Sequence, residues 1–249
     1  MGKNEKLLDC VSLTGIDDYT DLNKLKDLYT QYPFLEFGVC FDLETNTNIK
    51  YAGYRLLKVL QTYSSLPLVA HLSERNVEKL FNRANLNYLK AIPWKRIQLN
   101  IDLMNLLTNN SLNRIFDRIE TLCQKIFYLN QIIIPEDVST RYILENVKIP
   151  YFIDILSDVS KGKGICPSSN NDWAIPYHKR FGFAGGISFE NIPAVLTKVA
   201  ERQKNQSDFV WIDMESSLKN FETGCFDLNK SFQIAQILQT AVKRKLNLL

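Results

Sequence analysis

The sequence predicts a single (β/α)8 barrel, and three observations lead to this fold class. The chain has 249 residues, which fits one α/β barrel domain, although length alone also allows two smaller units. Eight short β-type segments alternate with helix-sized segments along the chain. Most of these segments are apolar on both faces, as the strands of a closed parallel sheet are. We therefore expect one domain over residues 1–249.

The first half of the chain supplies four predicted strands and the segments that connect them. The strands are placed at residues 8–14, 35–41, 66–72 and 96–100. Leu22, Leu25 and Leu28 recur at helical spacing, and Asp21 is placed to cap that helix, which is predicted to run to Tyr32. Two further helices are predicted at 54–63 and from 74 to 80.

The second half repeats the alternation. The predicted strands cover residues 126–134, 151–156, 181–185 and 209–213. The predicted helices cover 112–124, 138–147 and 229–246, with a further helix holding Ile192, Val195 and Val199. The long polar segment from Gly162 to Lys179 interrupts the pattern, and we interpret it as a loop.

Composition excludes several function classes. The net charge is +3 without a basic arm or stripe, which argues against nucleic-acid binding. No apolar stretch approaches the roughly 20 residues of a membrane helix, and the start of the chain does not resemble a signal peptide. The cysteines are odd in number and form no CxxC pair, so we expect reduced thiols in a cytoplasmic protein and neither a zinc site nor another metal site. They are Cys10, Cys40, Cys123, Cys166 and Cys225.

Polar residues follow most of the predicted strands. In this fold the reactive groups lie at the C-terminal ends of the strands and in the loops that follow. These positions predict a chemical lining at one mouth of the barrel. The residues are Thr14, Asp17, Asp18, Asp42, His71, Asn100, Asn130, Gln131, Asp158, Gly185, Gly186, Asp213 and Glu215.

The segment FGFAGGISFENI, residues 181–192, predicts an anion site. Gly185 and Gly186 end the seventh strand, and Ser188 is placed to cap the helix that follows. Backbone N–H groups at such a helix start bind phosphate, and the loops after strands seven and eight form the usual phosphate-binding site of this fold. Ser216 and Ser217 offer further donors across from the glycines. The alternative is that the glycine pair only relieves crowding at a barrel corner.

Five segments in order resemble the phosphoribosylanthranilate isomerase family. FGFAGGISFENI resembles its AGGL-x-x-x-N segment, and WIDMESS is similar to D-V-S-S-G. Asp158 followed by GKG and DW is similar to D…G-G-[ST]-G…D-W, and RIQLN is similar to Q-L-H in the fourth strand. VSLTG stands where the family has K-I-C-G. The resemblance spans nearly the whole chain and implies a (β/α)8 barrel that binds a phosphorylated ribose derivative.

The resemblance also implies roles for individual residues. The family isomerises its substrate with a cysteine base on strand one and an aspartate acid on strand six, and Asp158 matches the acid. Thr14 stands at the cysteine position, and its hydroxyl is a poor proton shuttle without a neighbouring base. Candidates for a replacement base are Asp17, Asp18 and His71.

The substrate contacts that the resemblance implies are largely kept, with three departures. Asn100 replaces the histidine of the fourth strand, Ser217 replaces a glycine of the phosphate loop, and Lys50 takes the place of an arginine. The ligand-binding set that follows is Gly162, Gly164, Gly185, Gly186, Asp213, Ser216, Ser217, Lys50 and Asn100.

Two functions from different classes follow. The first is an isomerase-like enzyme without a cofactor, acting on a small phosphorylated metabolite as a monomer or homodimer. The second is a barrel that binds a phosphoribosyl or nucleotide-like metabolite without turning it over, which the loss of the cysteine at Thr14 favours. Hydrolysis by Asp158 with Asp213 is a third possibility, and it depends on the separation of the two carboxylates.

Overall fold

A computed structural model describes most of the chain. The described residues are 7–41, 53–73, 77, 87–100, 112–125, 132–136, 138–158, 160, 163–167, 173–174, 177–202 and 209–243. Several expectations fall outside these ranges. They concern the helix at 74–80 apart from Val77, and Asp42, Lys50, Cys123 beyond its backbone, Asn130, Gln131, Gly162 and Asp172.

Eight parallel strands close into a barrel in the order β1-β2-β3-β4-β5-β6-β7-β8, with β8 pairing back onto β1. This arrangement confirms the predicted (β/α)8 fold class. Their bounds are β1 Cys10–Thr14, β2 Leu35–Phe41, β3 Leu68–Leu72, β4 Trp94–Leu99, β5 Ile132–Glu136, β6 Ile153–Ser157, β7 Arg180–Phe183 and β8 Phe209–Met214. Every residue of β1, β3 and β6 is buried, as expected of strands covered on both faces.

The described part of the chain contains seven α-helices and one short 3₁₀ helix. They are α1 Leu22–Gln31, α2 Tyr54–Leu60, α3 Asn87–Ala91, α4 Leu112–Lys125, α5 Val138–Glu145, α6 Ile192–Arg202, α7 Leu228–Lys243 and the 3₁₀ helix Ser216–Leu218. The predicted cap of α1 is confirmed, because the Asp21 side chain accepts hydrogen bonds from the N–H groups of Asn23 and Lys24. Among these helices none is long and apolar enough to cross a membrane.

The structure places the end of the seventh strand and the start of the helix after it differently from the sequence prediction. β7 ends at Phe183, so Gly185 and Gly186 lie in the loop beyond the strand. The regular helix begins at Ile192, and the turn that leads into it begins at Ser188, whose carbonyl accepts the N–H of Ile192 at 3.1 Å. The Asn191 side chain accepts the N–H of Ser188 and donates to the carbonyl of Gly186. Pro193 has no N–H to donate to the turn before it, so the regular hydrogen-bond pattern starts late.

The interior of the barrel is divided into an apolar layer and a charged layer. Cys10, Val69, Ile133, Leu156 and Trp211 form a cluster of their own, separate from the larger core between strands and helices. The Trp211 ring packs where a side chain on β7 would otherwise project, since a Cβ at position 182 would collide with it. The glycine at 182 therefore makes room for the Trp211 ring inside the barrel.

Arg96 lies at the centre of the charged layer. Its guanidinium donates to Glu36 on β2 and to Asp154 on β6, the latter at 3.1 Å, and it stacks 4.3 Å from the centroid of the Trp211 ring. Arg180 adds a second cation, with Nε 2.6 Å from Asp154 Oδ1. Our description of the strands as mostly apolar on both faces did not anticipate this layer.

The charged layer is balanced electrostatically. Burial alone raises the pKa of Glu36, but Arg96 and then Lys95 outweigh burial and lower that pKa from 4.5 to about 2. Burial likewise opposes the charge of Arg96, and the carboxylate of Glu36 more than compensates, which raises the pKa of the guanidinium. Both groups are therefore ionised in the folded protein, and each depends on the other to remain so.

We expect Arg96→Met to lower the free energy of unfolding by about 3–5 kcal/mol, because it leaves Glu36 and Asp154 as buried carboxylates without their shared partner. The matched control is Lys95→Met, which removes the half-exposed partner of Glu36 and is expected to cost about 1 kcal/mol or less. Urea denaturation at neutral pH measures both. Equal losses in the two variants would contradict a central role for Arg96.

Candidate functional site

A chain of three side chains crosses the floor of the C-terminal mouth. The Oγ1 of Thr14, at the end of β1, donates a hydrogen bond of 2.7 Å to Oδ1 of Asp213 on β8. The same oxygen lies 3.4 Å from Nε2 of His71 on β3. Thr14 and His71 are buried, whereas Asp213 is partly exposed at the mouth. Asp213 is therefore the end of the chain that a ligand can reach.

Gly38 on β2 provides the space for this chain. Thr14 pairs with Gly38 in the register of β1 and β2, and a Cβ at position 38 would collide with the Thr14 hydroxyl. Without a side chain at that position, Thr14 can lean over β2 toward β3 while still reaching β8. The glycine thus lets one hydroxyl contact groups on two strands that do not neighbour each other.

Asp213 has the properties of a proton acceptor that works near neutral pH. Burial raises its pKa from 3.8 to about 7, the hydrogen bond from Thr14 opposes this, and the charges of Glu215 and Asp158 raise it further. Arg96, in the layer below, acts in the opposite direction. A carboxyl group with a pKa near the working pH is suited to general acid–base catalysis.

Asp158 lies directly after β6 and shapes the loop that follows. Its Oδ1 accepts hydrogen bonds from the N–H and the hydroxyl of Ser160, at 3.0 and 2.7 Å. The Ser160 hydroxyl in turn accepts the N–H of Gly164. The carboxylate is only partly exposed and is close enough to Asp213 to raise the pKa of that group. The two carboxylates therefore share one side of the mouth.

Three glycines with left-handed backbone bring the loops after β6, β7 and β8 together. They are Gly164, Gly185 and Gly186, with φ angles of 68°, 102° and 57°. A Cβ at position 186 would collide with the backbone nitrogen of Cys166, and one at 164 would collide with the hydroxyl of Ser216. Both the backbone conformation and the space therefore require glycine at these two positions.

The same loops present backbone donors. Among the described residues, no acceptor is found for the N–H groups of Gly186, Ser216 and Ser217. The Ser217 hydroxyl fixes the arrangement by donating to the carbonyl of Ile187 at 2.7 Å. Successive N–H groups in turns of this kind form concave sites for anions.

Asp17 and Asp18 have structural partners. Asp17 is buried, where it accepts the N–H of Phe226 at 2.7 Å and the hydroxyl of Thr20 at 3.0 Å. Asp18 accepts the N–H groups of Gly53 and Leu56 at the start of α2, which caps that helix. Both carboxylates hold the loop after β1, and we no longer assign the base to either of them.

Asn100 follows β4, and its Oδ1 accepts a hydrogen bond of 2.9 Å from the Gln98 side chain. The oxygen of the same Gln98 amide, Oε1, is buried and has no hydrogen-bond partner in the described part of the chain.

Cys10 lies below the mouth, and burial raises the pKa of its thiol well above the usual value. The cysteine is therefore inert and does not replace Thr14. Within the described residues no group of three or more His, Cys, Asp or Glu side chains could hold a metal ion.

The sequence showed the members of this site but not their connections. Thr14, His71 and Asp213 were each expected at strand ends, yet Asp213 was expected to bind ligand, and its hydrogen bond to Thr14 was not foreseen. The proximity of Thr14 and Asp213 could have been predicted in part, because β8 pairs with β1 in any closed barrel of eight strands. The register that aligns Ser12 with Asp213, and so places Thr14 beside the carboxylate, is a property of the folded sheet.

The fold and the mouth together define a parallel (β/α)8 barrel with a polar C-terminal site. The chain matches no family model and no curated protein. Among solved structures it is similar to one described as mutually generated monomers of the dimeric phosphoribosylanthranilate isomerase from Thermotoga maritima. The TM-score is 0.53 with 15% identity, over 97% of this chain and 100% of that one. The similarity establishes the fold.

Asp213→Asn is expected to become more stable relative to the wild type as the pH rises. Because the folded pKa is about 7 and the ordinary value is 3.8, the folded protein retains a proton that the unfolded chain releases between these values. The wild type therefore loses stability as pH rises through this range, and the asparagine variant lacks that loss. Urea unfolding at about pH 4 and about pH 8 measures the difference. A difference that does not change with pH would contradict the raised pKa.

Proposed function

We propose that this barrel binds a phosphorylated sugar at its C-terminal mouth and transfers protons on it, as an isomerase-like enzyme. The observation that carries the proposal is the convergence of three loops on a group of backbone donors, beside two carboxylates. An anion site and a proton-transfer site within one mouth fit a ligand that has a phosphate at one end and a reactive carbon chain at the other.

The phosphate is assigned to the loops after β6, β7 and β8. The N–H groups of Gly186, Ser216 and Ser217 supply donors, and Gly164 and Gly185 allow the loops to approach each other. The loops after β7 and β8 are the usual phosphate-binding site of the (β/α)8 fold. Gly162 and Lys50, which lie outside the described residues, remain proposed contacts from the sequence, together with Asn100 at the end of β4.

Proton transfer is assigned to the two carboxylates. Asp213 acts as the base, because its pKa of about 7 leaves a substantial ionised fraction that still binds a proton firmly. Asp158, the residue that resembles the acid of the phosphoribosylanthranilate isomerase family, acts as the acid or holds the sugar hydroxyls. The missing cysteine at position 14 is thereby compensated from β8.

The finer assignment is that of a divergent phosphoribosylanthranilate isomerase-like protein with a phosphoribosyl ligand. Three similarities support it: the ordered segments in the sequence, the fold of the similar structure, and the placement of Asp158, Gly185 and Gly186. We further propose one domain over the whole chain, no cofactor, and a cytoplasmic location in keeping with free thiols at Cys10, Cys40, Cys166 and Cys225. The protein is proposed to be a monomer or, like the isomerase of the similar structure, a dimer.

Ser216→Asp tests the phosphate site. The new carboxylate repels a bound phosphate across a few ångströms, so the Kd for ribose 5-phosphate is expected to rise at least about tenfold, equivalent to roughly 1.4 kcal/mol. Ser216→Asn has the same size without the charge and serves as the matched control. Calorimetric titration with ribose 5-phosphate, and with ribose as a ligand that lacks phosphate, measures the effect. Equal Kd values for the Asp and Asn variants would place the phosphate elsewhere.

A non-catalytic binding protein is the second candidate, and Thr14 at the position of the family's cysteine favours it. Asp213→Asn distinguishes the two. If the barrel is an isomerase, the wild type converts phosphoribosylanthranilate or another phosphoribosyl amine, and the variant loses at least about 100-fold in kcat while still binding ribose 5-phosphate. Chromatography of the reaction mixture measures conversion. Binding by the wild type without any conversion supports the non-catalytic barrel.

A further inference from the structure

His71 is a second titratable side chain beside the Thr14 hydroxyl. It is one of two histidines in the chain, it is only 4% exposed, and its Nε2 lies 3.4 Å from the Thr14 hydroxyl. The other histidine, His178, precedes β7 and lies at the opposite end of the barrel. Thr14 therefore lies between His71 and Asp213, and His71 itself is too buried to contact a ligand.

We propose that the Thr14 hydroxyl is a proton relay that connects Asp213 to His71, so that the two groups hold one proton in common. The proposal rests on the geometry of these three side chains. One hydroxyl oxygen lies within hydrogen-bond reach of a carboxylate on β8 and of an imidazole on β3, at 2.7 and 3.4 Å. The threonine hydroxyl can donate and accept through a single oxygen, which a relay between two other groups requires.

The hydrogen bonds between Asp213, Thr14 and His71 can run in either of two directions, and in each direction every donor has an acceptor. With Asp213 ionised, His71 donates from Nε2 to Thr14, and Thr14 donates to Asp213. With Asp213 protonated, the carboxyl donates to Thr14, and Thr14 donates to an unprotonated Nε2, so that the neutral imidazole carries its hydrogen on Nδ1. Reversal of the chain therefore changes the tautomer of His71.

Transfer along the chain conserves protons and charge. The carboxyl proton of Asp213 moves to Thr14 Oγ1 as the original hydroxyl proton moves to His71 Nε2. A neutral pair becomes a carboxylate and an imidazolium, and the threonine is unchanged. The charges of Glu215 and Asp158 on one side and Arg96 on the other set the balance between the two forms at Asp213.

The relay allows Asp213 to pass its proton to His71. A base at a mouth closed by substrate cannot exchange with water, and it must store the proton until the acidic step of the cycle. Transfer to His71 restores the carboxylate while the proton remains buried. Its use in turnover rests on the proposed function, but the relay itself is a property of the protein without ligand.

The test uses protein with ¹⁵N-labelled histidine and the substitution His178→Gln, so that His71 gives the only imidazole signals. The ¹⁵N shifts report the fraction of neutral His71 protonated at Nε2 from about pH 5 to about pH 9. We expect this fraction to fall by more than about half as Asp213 takes up its proton. Thr14→Ser, which keeps the hydroxyl, is expected to show the same change.

Thr14→Val keeps the shape of the side chain but removes the hydroxyl, and it is expected to abolish the tautomer change. Asp213→Asn is expected to abolish it as well, because the group that drives the reversal no longer titrates. A tautomer curve in the valine variant that matches the serine variant would overturn the relay. If the valine variant does not fold, an unchanged curve in Asp213→Asn overturns it equally. Neither readout involves a ligand, so failure of the sugar-phosphate assignment would leave this result intact.

Discussion

The packing of Arg96 inside the barrel is the constraint on which the rest of the structure depends. A closed parallel barrel must fill its interior, and this chain does so in its lower half with a buried cation that joins Glu36 on β2 to Asp154 on β6. The guanidinium stacks on the indole of Trp211. Removal of charges from water is costly, so the layer is stable only while every partner is present.

This arrangement also separates two functions of the interior. The charged layer and the apolar cluster together fill the barrel below the mouth, and among Thr14, His71 and Asp213 only Asp213 is partly exposed. Thr14, His71 and Asp213 lie on top of a filled barrel instead of in a channel. Arg96 still acts on the upper layer electrostatically, since its charge opposes the rise in the pKa of Asp213.

Much of the fold could be predicted because it follows from local patterns. The strand Leu35–Phe41 and the capping of α1 by Asp21 were confirmed at the residue level, and the other strand ends within the described residues differ from the prediction by at most two residues. What could not be predicted depends on contacts between distant segments. Arg96 looked like one polar residue in a strand, and its role requires Glu36 and Asp154, which lie 60 and 58 residues away.

The candidate site shows the same limit. Sequence reasoning selected strand-end residues as a class, because every strand of this fold points its C-terminal end at one mouth. It did not distinguish Asp213, which faces the mouth, from Asp17 and Asp18, which hold a loop and cap a helix. That distinction depends on which backbone N–H groups lie near each carboxylate, and those come from residues far along the chain.

The contact between Thr14 and Gly38 restricts the order in which this site can evolve. Because the threonine side chain occupies the space above the glycine, a larger residue at 38 is accessible only after position 14 has become smaller. A change in the opposite order passes through an overpacked intermediate, at a cost of about 1–3 kcal/mol. Substitutions at the two positions are therefore coupled, because position 38 must remain glycine while position 14 carries threonine.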